Sequence, residues 1–321
     1  MHKVSICITT YNRGESLPRT LDSVLQQDFT DFELIISDDN STDNTRVVCE
    51  EYARKDARVK YFRNPANLKM PGNLNAAIAR AAGDFIANLH DGDIYRADLI
   101  RKWHDALVAH PDALFVFNQY QMLDKHDQKI LVIDHKLPEL NEGKVLSEYF
   151  FRTLSSAPWG TVMARKEAYQ QYGMFNPAYE FISDVEMWLR LGSHGKVCYV
   201  SEPLIDLTPR EQTHKYFLPF WRITYLNIKI MHEYYAIDNA GVSSAVINSN
   251  IRTHLFRSFL ILLKYFAITR AREYLWLIFA SPFNSLKFIC LPFGLLIPKK
   301  PTDFDKKNWQ KILVFRNPNH Q

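Results

Sequence analysis

Apolar and polar positions come in alternating blocks along the first hundred residues, and the blocks name the elements. Val4, Ile6, Cys7 and Ile8 make residues 4–9 a strand. Residues 15–27 carry Leu17, Leu21, Val24 and Leu25 at helical spacing. Residues 33–37 predict a second strand. Thr42 or Asp43 can cap a helix running to about residue 55. Residues 59–62 predict a third strand, 75–82 a third helix and 84–89 a fourth strand. Strand and helix alternating at this spacing imply right-handed crossovers and a mostly parallel sheet covered on both faces. Further on, residues 111–135 read as two strands around the polar turn 124–127. Residues 166–172 and 184–191 read as helices and 196–200 as a strand, with Pro203 and Pro209 punctuating the exit.

The polar insertions between blocks gather at one end of this sheet. Thr10-Tyr11-Asn12, Asp38-Asp39 and Asp91-Gly92-Asp93 each follow a strand. Ligands of open α/β sheets sit at the carboxyl ends of the strands. Asp91 and Asp93 flank one small residue, so both can face one divalent cation. Mg²⁺ and Mn²⁺ take oxygen ligands, usually one or two carboxylates completed by phosphate oxygens. The plain alternative is a solvated acidic turn. It loses ground because Asp38-Asp39 forms a second acidic turn after another apolar strand.

Charge divides the chain. Residues 1–214 hold 24 Lys and Arg against 30 Asp and Glu, whereas residues 215–321 hold 15 against 5. A mildly acidic front and a basic, aromatic back suit different tasks, so we divide the chain into an α/β domain at 1–214 and a helical region at 215–321. Residues 254–280 are long and apolar with Arg257, Lys264, Arg270 and Arg272 interspersed. Pro282 breaks this stretch, and Pro292 interrupts a second apolar run at 286–298. A spanning helix needs about 20 apolar residues, so basic amphipathic helices lying in a membrane interface fit better. Cys7, Cys49, Cys198 and Cys290 are scattered, which indicates neither a zinc site nor a disulfide framework and fits a reducing compartment. No basic and apolar leader is expected at the N-terminus.

The motifs taken in order resemble the family 2 glycosyltransferases. The pieces are Ile8 to Arg13, Glu33 to Asp43, Gly72-Asn73 to Gly83-Asp84, Asp91-Gly92-Asp93, Gly173-Met174-Phe175 and Ser183 to Arg190, spread over roughly residues 3–212. The resemblance implies a GT-A fold, Rossmann-like with a mostly parallel sheet, and an inverting transferase of the hexosyl type that uses a nucleotide-sugar donor. It implies that Thr10, Tyr11 and Asn12 line the nucleotide pocket, with Tyr11 against the base. Asp39 would accept a hydrogen bond from the base, often uracil. Asp91 would lie near the ribose and metal, and Asp93 would bind the Mg²⁺ or Mn²⁺ on the diphosphate. Asp184 matches the general base, with Glu186 as its competitor two positions along the helix.

The sequence departs from the family at three points. Ser183 stands where Glu usually precedes the base. Gln212 takes the usual His position in the run from Pro209 to His214, which brings Arg210 and His214 forward as diphosphate contacts. Lys69 stands in the region where many members carry a donor-contacting Arg, and is the candidate replacement for it. Trp159 can stack on the acceptor or pack in the core, and His90 packs more often than it ligates.

The expected partners are a nucleotide-sugar donor, a glycan or lipid-linked acceptor and, through the C-terminal region, a membrane surface, with no nucleic acid. The place expected for the enzyme is the cytoplasmic face of the membrane, peripherally, in cell-surface polysaccharide synthesis. The alternatives are a nucleotidyltransferase, which lacks its Gly-rich basic phosphate loop here, and a non-catalytic glycan-binding protein on a transferase fold.

Overall fold

The computed structural model describes residues 3–153 and 155–209, with positions 223, 226–231, 233 and 234. Arg210, Gln212, His214 and the basic apolar stretch 254–300 lie outside the described residues. The chain divides into two units, Met1–Tyr149 with Ser155–Arg210, and Phe150–Leu154 with Glu211–Gln321. In the second unit the described residues are helical, and Phe150, Phe151, Leu226, Ile230 and Met231 are buried.

In chain order the elements are β1 (Val4–Thr10), α1 (Leu17–Leu25), β2 (Phe32–Asp38), α2 (Thr45–Lys55), β3 (Val59–Arg63), α3 (Lys69–Ile78), β4 (Phe85–His90) and β5 (Ile94–Tyr95). Then come α4 (Leu99–Ala109), β6 (Ala113–Leu123), β7 (Lys129–Ile133), β8 (Leu140–Glu142), α5 (Lys144–Thr153), β9 (Val162–Arg165), α6 (Lys166–Tyr172), a 3-10 turn (Pro177–Ile182), α7 (Ser183–Gly192) and β10 (Lys196–Leu207). The sheet runs β3-β2-β1-β4-β9-β6-β10-β5, with β7 beside β6 and β8 beside β10.

The expected strands and helices of the first ninety residues are present, with three corrections. The sheet is mixed rather than mostly parallel. β3, β2, β1 and β4 are parallel neighbours, but β9 runs antiparallel between β4 and β6. The third helix spans Lys69–Ile78, not 75–82. It ends early because the Ala82 N–H goes to the Glu33 carboxylate and the Gly83 N–H to the Ser5 hydroxyl. Pro71 is tolerated at its start, where no helical donor is needed. The cap of α2 is Asn44, which makes no side-chain capping bond. Asp43 instead receives the N–H and hydroxyl of Thr45 and the N–H of Gly14.

The later strands 113–123 and 129–133 flank the expected polar turn, and α6 and α7 match their patterns. β10 is longer than expected. Pro203 lies inside it, where the register against β6 slips, and irregularity is where a sheet accepts proline. Trp188 of α7 is fully buried against Phe115 and Phe175, with centroids 5.2 and 5.4 Å apart. Removing such a ring typically costs about 3–5 kcal/mol, so α7 is firmly seated.

Candidate active site

The parallel half of the site is joined by bonds between neighbouring loops. Register places Thr10 beside Asp38 and Thr9 beside His90, so β1 ends between the two acidic turns. The loops after β1 and β2 are then laced together. The Asp39 N–H donates to the Thr10 carbonyl at 2.9 Å. Asn12 N–H donates to the Ser41 hydroxyl, Thr42 N–H to the Asn12 side chain, and Arg13 N–H to the Thr45 hydroxyl, at 2.8–2.9 Å. Asn12 takes a positive φ of 54° to do this, which asparagine tolerates better than most residues.

Asp38 is fully buried. It receives the Ser41 N–H and hydroxyl and the Tyr61 hydroxyl, as expected of a turn-pinning carboxylate. Asp39 is also buried. It accepts from the Asn64 amide and from the N–H groups of Leu68 and Lys69, at 3.1, 2.7 and 2.8 Å. It therefore holds the loop that carries the exposed Lys69. The Thr10 hydroxyl is buried at the strand end and has no hydrogen-bond partner among the described residues. Tyr11 is half-buried beside it.

The acidic turn after β4 is clamped on three sides. Thr20 of α1 donates to the Asp93 carbonyl at 2.9 Å. The Thr208 hydroxyl donates to the Gly92 carbonyl. The Tyr95 hydroxyl accepts the His90 N–H at 2.7 Å and donates to the His90 carbonyl at 2.9 Å. Asp93 is buried, with an oxygen 3.3 Å from His90 Nδ1. Asp91 is more open and lies 4.0 Å from Arg13 Nε. Among the described residues no group of three His, Cys, Asp or Glu side chains forms a ready cation cage. Paired carboxylates at the mouth of a strand still fit a cation that takes its remaining ligands from a diphosphate and water.

The second half comes from distant segments. β9 pairs Val162 with Asn88, which carries Gly160 back alongside His90. Gly160 has φ +81°. A Cβ there would lie 2.8 Å from His90 Nε2 and 3.2 Å from an Asp184 oxygen, so only glycine fits between them. Tyr120 of β6 is buried, accepts the Trp159 N–H at 3.0 Å and stacks on the half-buried Trp159 ring. Asp184 lies in the first turn of α7 and accepts the Val185 N–H at 2.9 Å. Burial pushes its carboxyl up to about 6, against the pull of that N–H and of His90. A carboxyl so poised can take a proton near neutral pH. Glu186 is bound instead to the Arg190 guanidinium at 2.8 Å, and Arg190 also holds the carbonyls of Tyr172, Gly173 and Met174. That pairing spends Glu186 on structure.

Of the residues singled out in the sequence, the structure brings Thr10, Tyr11, Asn12, Asp39, Asp91 and Asp93 to the carboxyl end of the parallel strands. It brings Asp184 and Trp159 to the adjoining wall. His90, Arg13, Tyr120 and Gly160 were not singled out as site residues. His90 had a signal in its place beside the acidic turn. Tyr120 and Gly160 had none, because strand register alone sets their place.

The model of glycosyl transferase family 2 matches residues 5–173, just over half of the chain. GalNAc(5)-diNAcBac-PP-undecaprenol beta-1,3-glucosyltransferase of Campylobacter jejuni is 40% identical over 94 residues, 29% of this chain and 30% of that protein. The UDP-Glc:alpha-D-GlcNAc-diphosphoundecaprenol beta-1,3-glucosyltransferase WfgD of Escherichia coli is 30% identical over 123 residues, 38% of this chain and 47% of that protein. The chain thus spans well under two thirds of either. Among solved structures, S. aureus TarS 1-349 in complex with UDP matches with a TM-score of 0.58 at 19% identity, covering 80% of this chain and 72% of that one. The mannosyltransferase PcManGT from Pyrobaculum calidifontis, in complex with GDP-Man and Mn²⁺, matches with a TM-score of 0.55 at 14% identity, covering 98% and 84%. These two likenesses concern the fold, a mixed α/β architecture of GT-A type.

Proposed function

The chain belongs to glycosyl transferase family 2, and we propose that it moves a sugar from a uridine nucleotide donor to a lipid-linked glycan acceptor, with inversion, in the synthesis of a cell-surface polysaccharide. Family membership makes it a glycosyltransferase and removes the nucleotidyltransferase reading. The observation that carries the finer proposal is the meeting of two parts around Gly160. The half-buried His90, with the buried Asp93 beside it, lies on one side and the proton-accepting Asp184 on the other.

On this reading Asp39 and Tyr11 receive the base, and Thr10 offers its unpartnered hydroxyl to the nucleoside. Asp91 and Asp93 would hold a Mg²⁺ or Mn²⁺ ion, which would offset the negative charge of a diphosphate leaving group. Trp159, backed by Tyr120, gives the acceptor a flat apolar face. Asp184 takes the proton of the acceptor hydroxyl as that oxygen attacks the anomeric carbon. With one base, and Glu186 engaged by Arg190, the chemistry suits a single in-line displacement. The diphosphoundecaprenol acceptors in the names of the two relatives support a lipid-linked acceptor. Among the described residues no helix is long and apolar enough to cross a membrane. By its mix of apolar residues and cations, the stretch 254–300 would dock the enzyme peripherally on the inner face of an anionic membrane, where each cation adds about 1 kcal/mol.

Calorimetry with UDP, GDP, CDP and dTDP tests the donor. UDP is expected to bind tightest in the presence of Mn²⁺, and tighter GDP binding would overturn the uridine assignment. Proton NMR of the product formed from the accepted donor reports the anomeric configuration, and retention would overturn the single displacement. Sedimentation with anionic vesicles tests docking, and a full chain that stays in the supernatant would overturn it.

A further inference from the structure

We propose that His90 is itself a ligand of the donor's metal ion, making the site a His90–Asp93 pair that favours Mn²⁺ over Mg²⁺. The inference rests on the metal reading above and narrows it: Asp93 stays a ligand, and His90 takes the place of Asp91 beside it. His90 Nδ1 and the Asp93 oxygen are 3.3 Å apart. Two neighbouring ligands at right angles about a cation, each about 2.1 Å from it, stand about 3.0 Å apart. The observed spacing therefore suits a shared ion as well as a direct hydrogen bond.

The imidazole is held for this role from both sides. Its backbone is fixed by the two bonds to the Tyr95 hydroxyl. Its far edge, Nε2, lies against Gly160, where even a methyl group would approach to 2.8 Å. The ring so confined keeps Nδ1 toward Asp93. Asp93 in turn is almost fully buried, with its carbonyl tied to Thr20. Asp91, the other carboxylate of the turn, faces the Arg13 guanidinium at 4.0 Å, so its charge is partly answered by the protein. His90 and Asp93 are thus the better-ordered pair, and donor oxygens and water complete the coordination.

The chemistry has a consequence for metal choice. Mg²⁺ demands hard oxygen ligands in near-ideal octahedral geometry. An imidazole nitrogen suits first-row transition ions better. A site with oxygen ligands alone would accept Mg²⁺ and Mn²⁺ more evenly.

The test is pulsed electron paramagnetic resonance of the full chain loaded with Mn²⁺, alone and with UDP. A nitrogen hyperfine coupling on Mn²⁺ is expected in the wild-type protein. It should vanish in His90→Asp, which keeps an oxygen ligand and the ion. Titration should show Mn²⁺ binding tighter than Mg²⁺, with the preference reduced about 10–100-fold in His90→Asp, at least the effect of losing a residue that merely orients a ligand. His90→Gln, a second variant, keeps a donor toward Asp93. If His90 only orients Asp93 by a hydrogen bond, His90→Gln retains the metal preference and no nitrogen coupling is seen in the wild type. That result overturns the proposal. A nitrogen coupling that survives in His90→Asp also overturns it, because the nitrogen then comes from elsewhere. Mn²⁺ binding that is lost in Asp93→Asn but shows no nitrogen coupling in the wild type sinks the His90 role while leaving the acidic metal site standing. Mn²⁺ binding unchanged in Asp93→Asn removes both readings.

Discussion

The two walls of the site are built in different ways. The nucleotide wall, at the ends of β1, β2 and β4, uses residues that follow their strands directly. Most of its bonds are either within one turn or between two adjacent loops, as in Asp38 to Ser41 and Asn12 to Thr42. The acceptor wall joins Tyr120, Trp159, Gly160 and Asp184, which lie on β6, on the loop before β9, and on α7. No local bond brings these together. They meet because β9 inserts antiparallel between β4 and β6. Loss of the turn-pinning Asp38 in the first wall should therefore appear as lost stability, and damage to the second wall as lost turnover.

The sharpest separation comes from Asp184→Asn. Turnover should fall by about 10²–10⁴-fold, the usual contribution of a placed base, while UDP affinity by calorimetry stays within twofold. Glu186→Gln should leave turnover near normal and lower the melting temperature, since it weakens the bond to Arg190. The reverse pattern would move the base by two residues.

A glycine pair tests geometry next. Gly160 and Gly173 both have positive φ, 81° and 86°. Either alanine variant carries backbone strain of order 1–3 kcal/mol. Only Gly160→Ala also pushes against His90 and Asp184. It should lose about 10–100-fold in kcat, in line with an ångström-scale misplacement, whereas Gly173→Ala should lose stability with kcat kept. Equal kinetic losses would mean that the closeness of Gly160 to His90 and Asp184 does not matter for turnover.

Asp38→Ala tests the nucleotide wall. It strands the Ser41 and Tyr61 donors in the interior, and chemical denaturation should show a loss of about 2–3 kcal/mol. An unchanged midpoint would mean that water replaces the carboxylate.

The smallest effect is a pH dependence. The Asp184 carboxyl is raised to about 6 by burial, so kcat/KM should fall with unit slope below about pH 6 and level off above it. The stability sign comes from the same shift. The folded protein binds this proton more tightly than the unfolded chain, so the group's contribution is present below its unfolded value and lost as pH rises through about 6. Asp184→Asn should thus gain over the wild type in melting temperature, by about 1–4 °C, as pH goes from 4 to 8. A constant gap across that range would mean that the carboxyl is not raised.

How far the site could be read in advance tracks the same division. Asp39, Asp91 and Asp93 were legible because a polar residue at the end of an apolar strand keeps its place whatever the rest of the sheet does. Asp184 was legible through its surrounding motif, not through its own pattern. The third helix was misplaced because Glu33 and Ser5, far off in sequence, claim the N–H groups of Ala82 and Gly83. His90 read as a packing residue because a lone histidine beside a turn gives no sign of what faces its ring.

By itself the sequence determined which segments become strands and helices in the first ninety residues, that three polar turns share one sheet edge, and where the carboxylates lie. Those features rest on local periodicity and on the alternation of blocks. Only the tertiary structure decided that the sheet turns antiparallel at β9, that Gly160 separates His90 from Asp184, and that Asp184 holds its proton more tightly than an exposed carboxyl. These depend on pairing register and burial, which arise when residues up to a hundred positions apart exclude water from the same place.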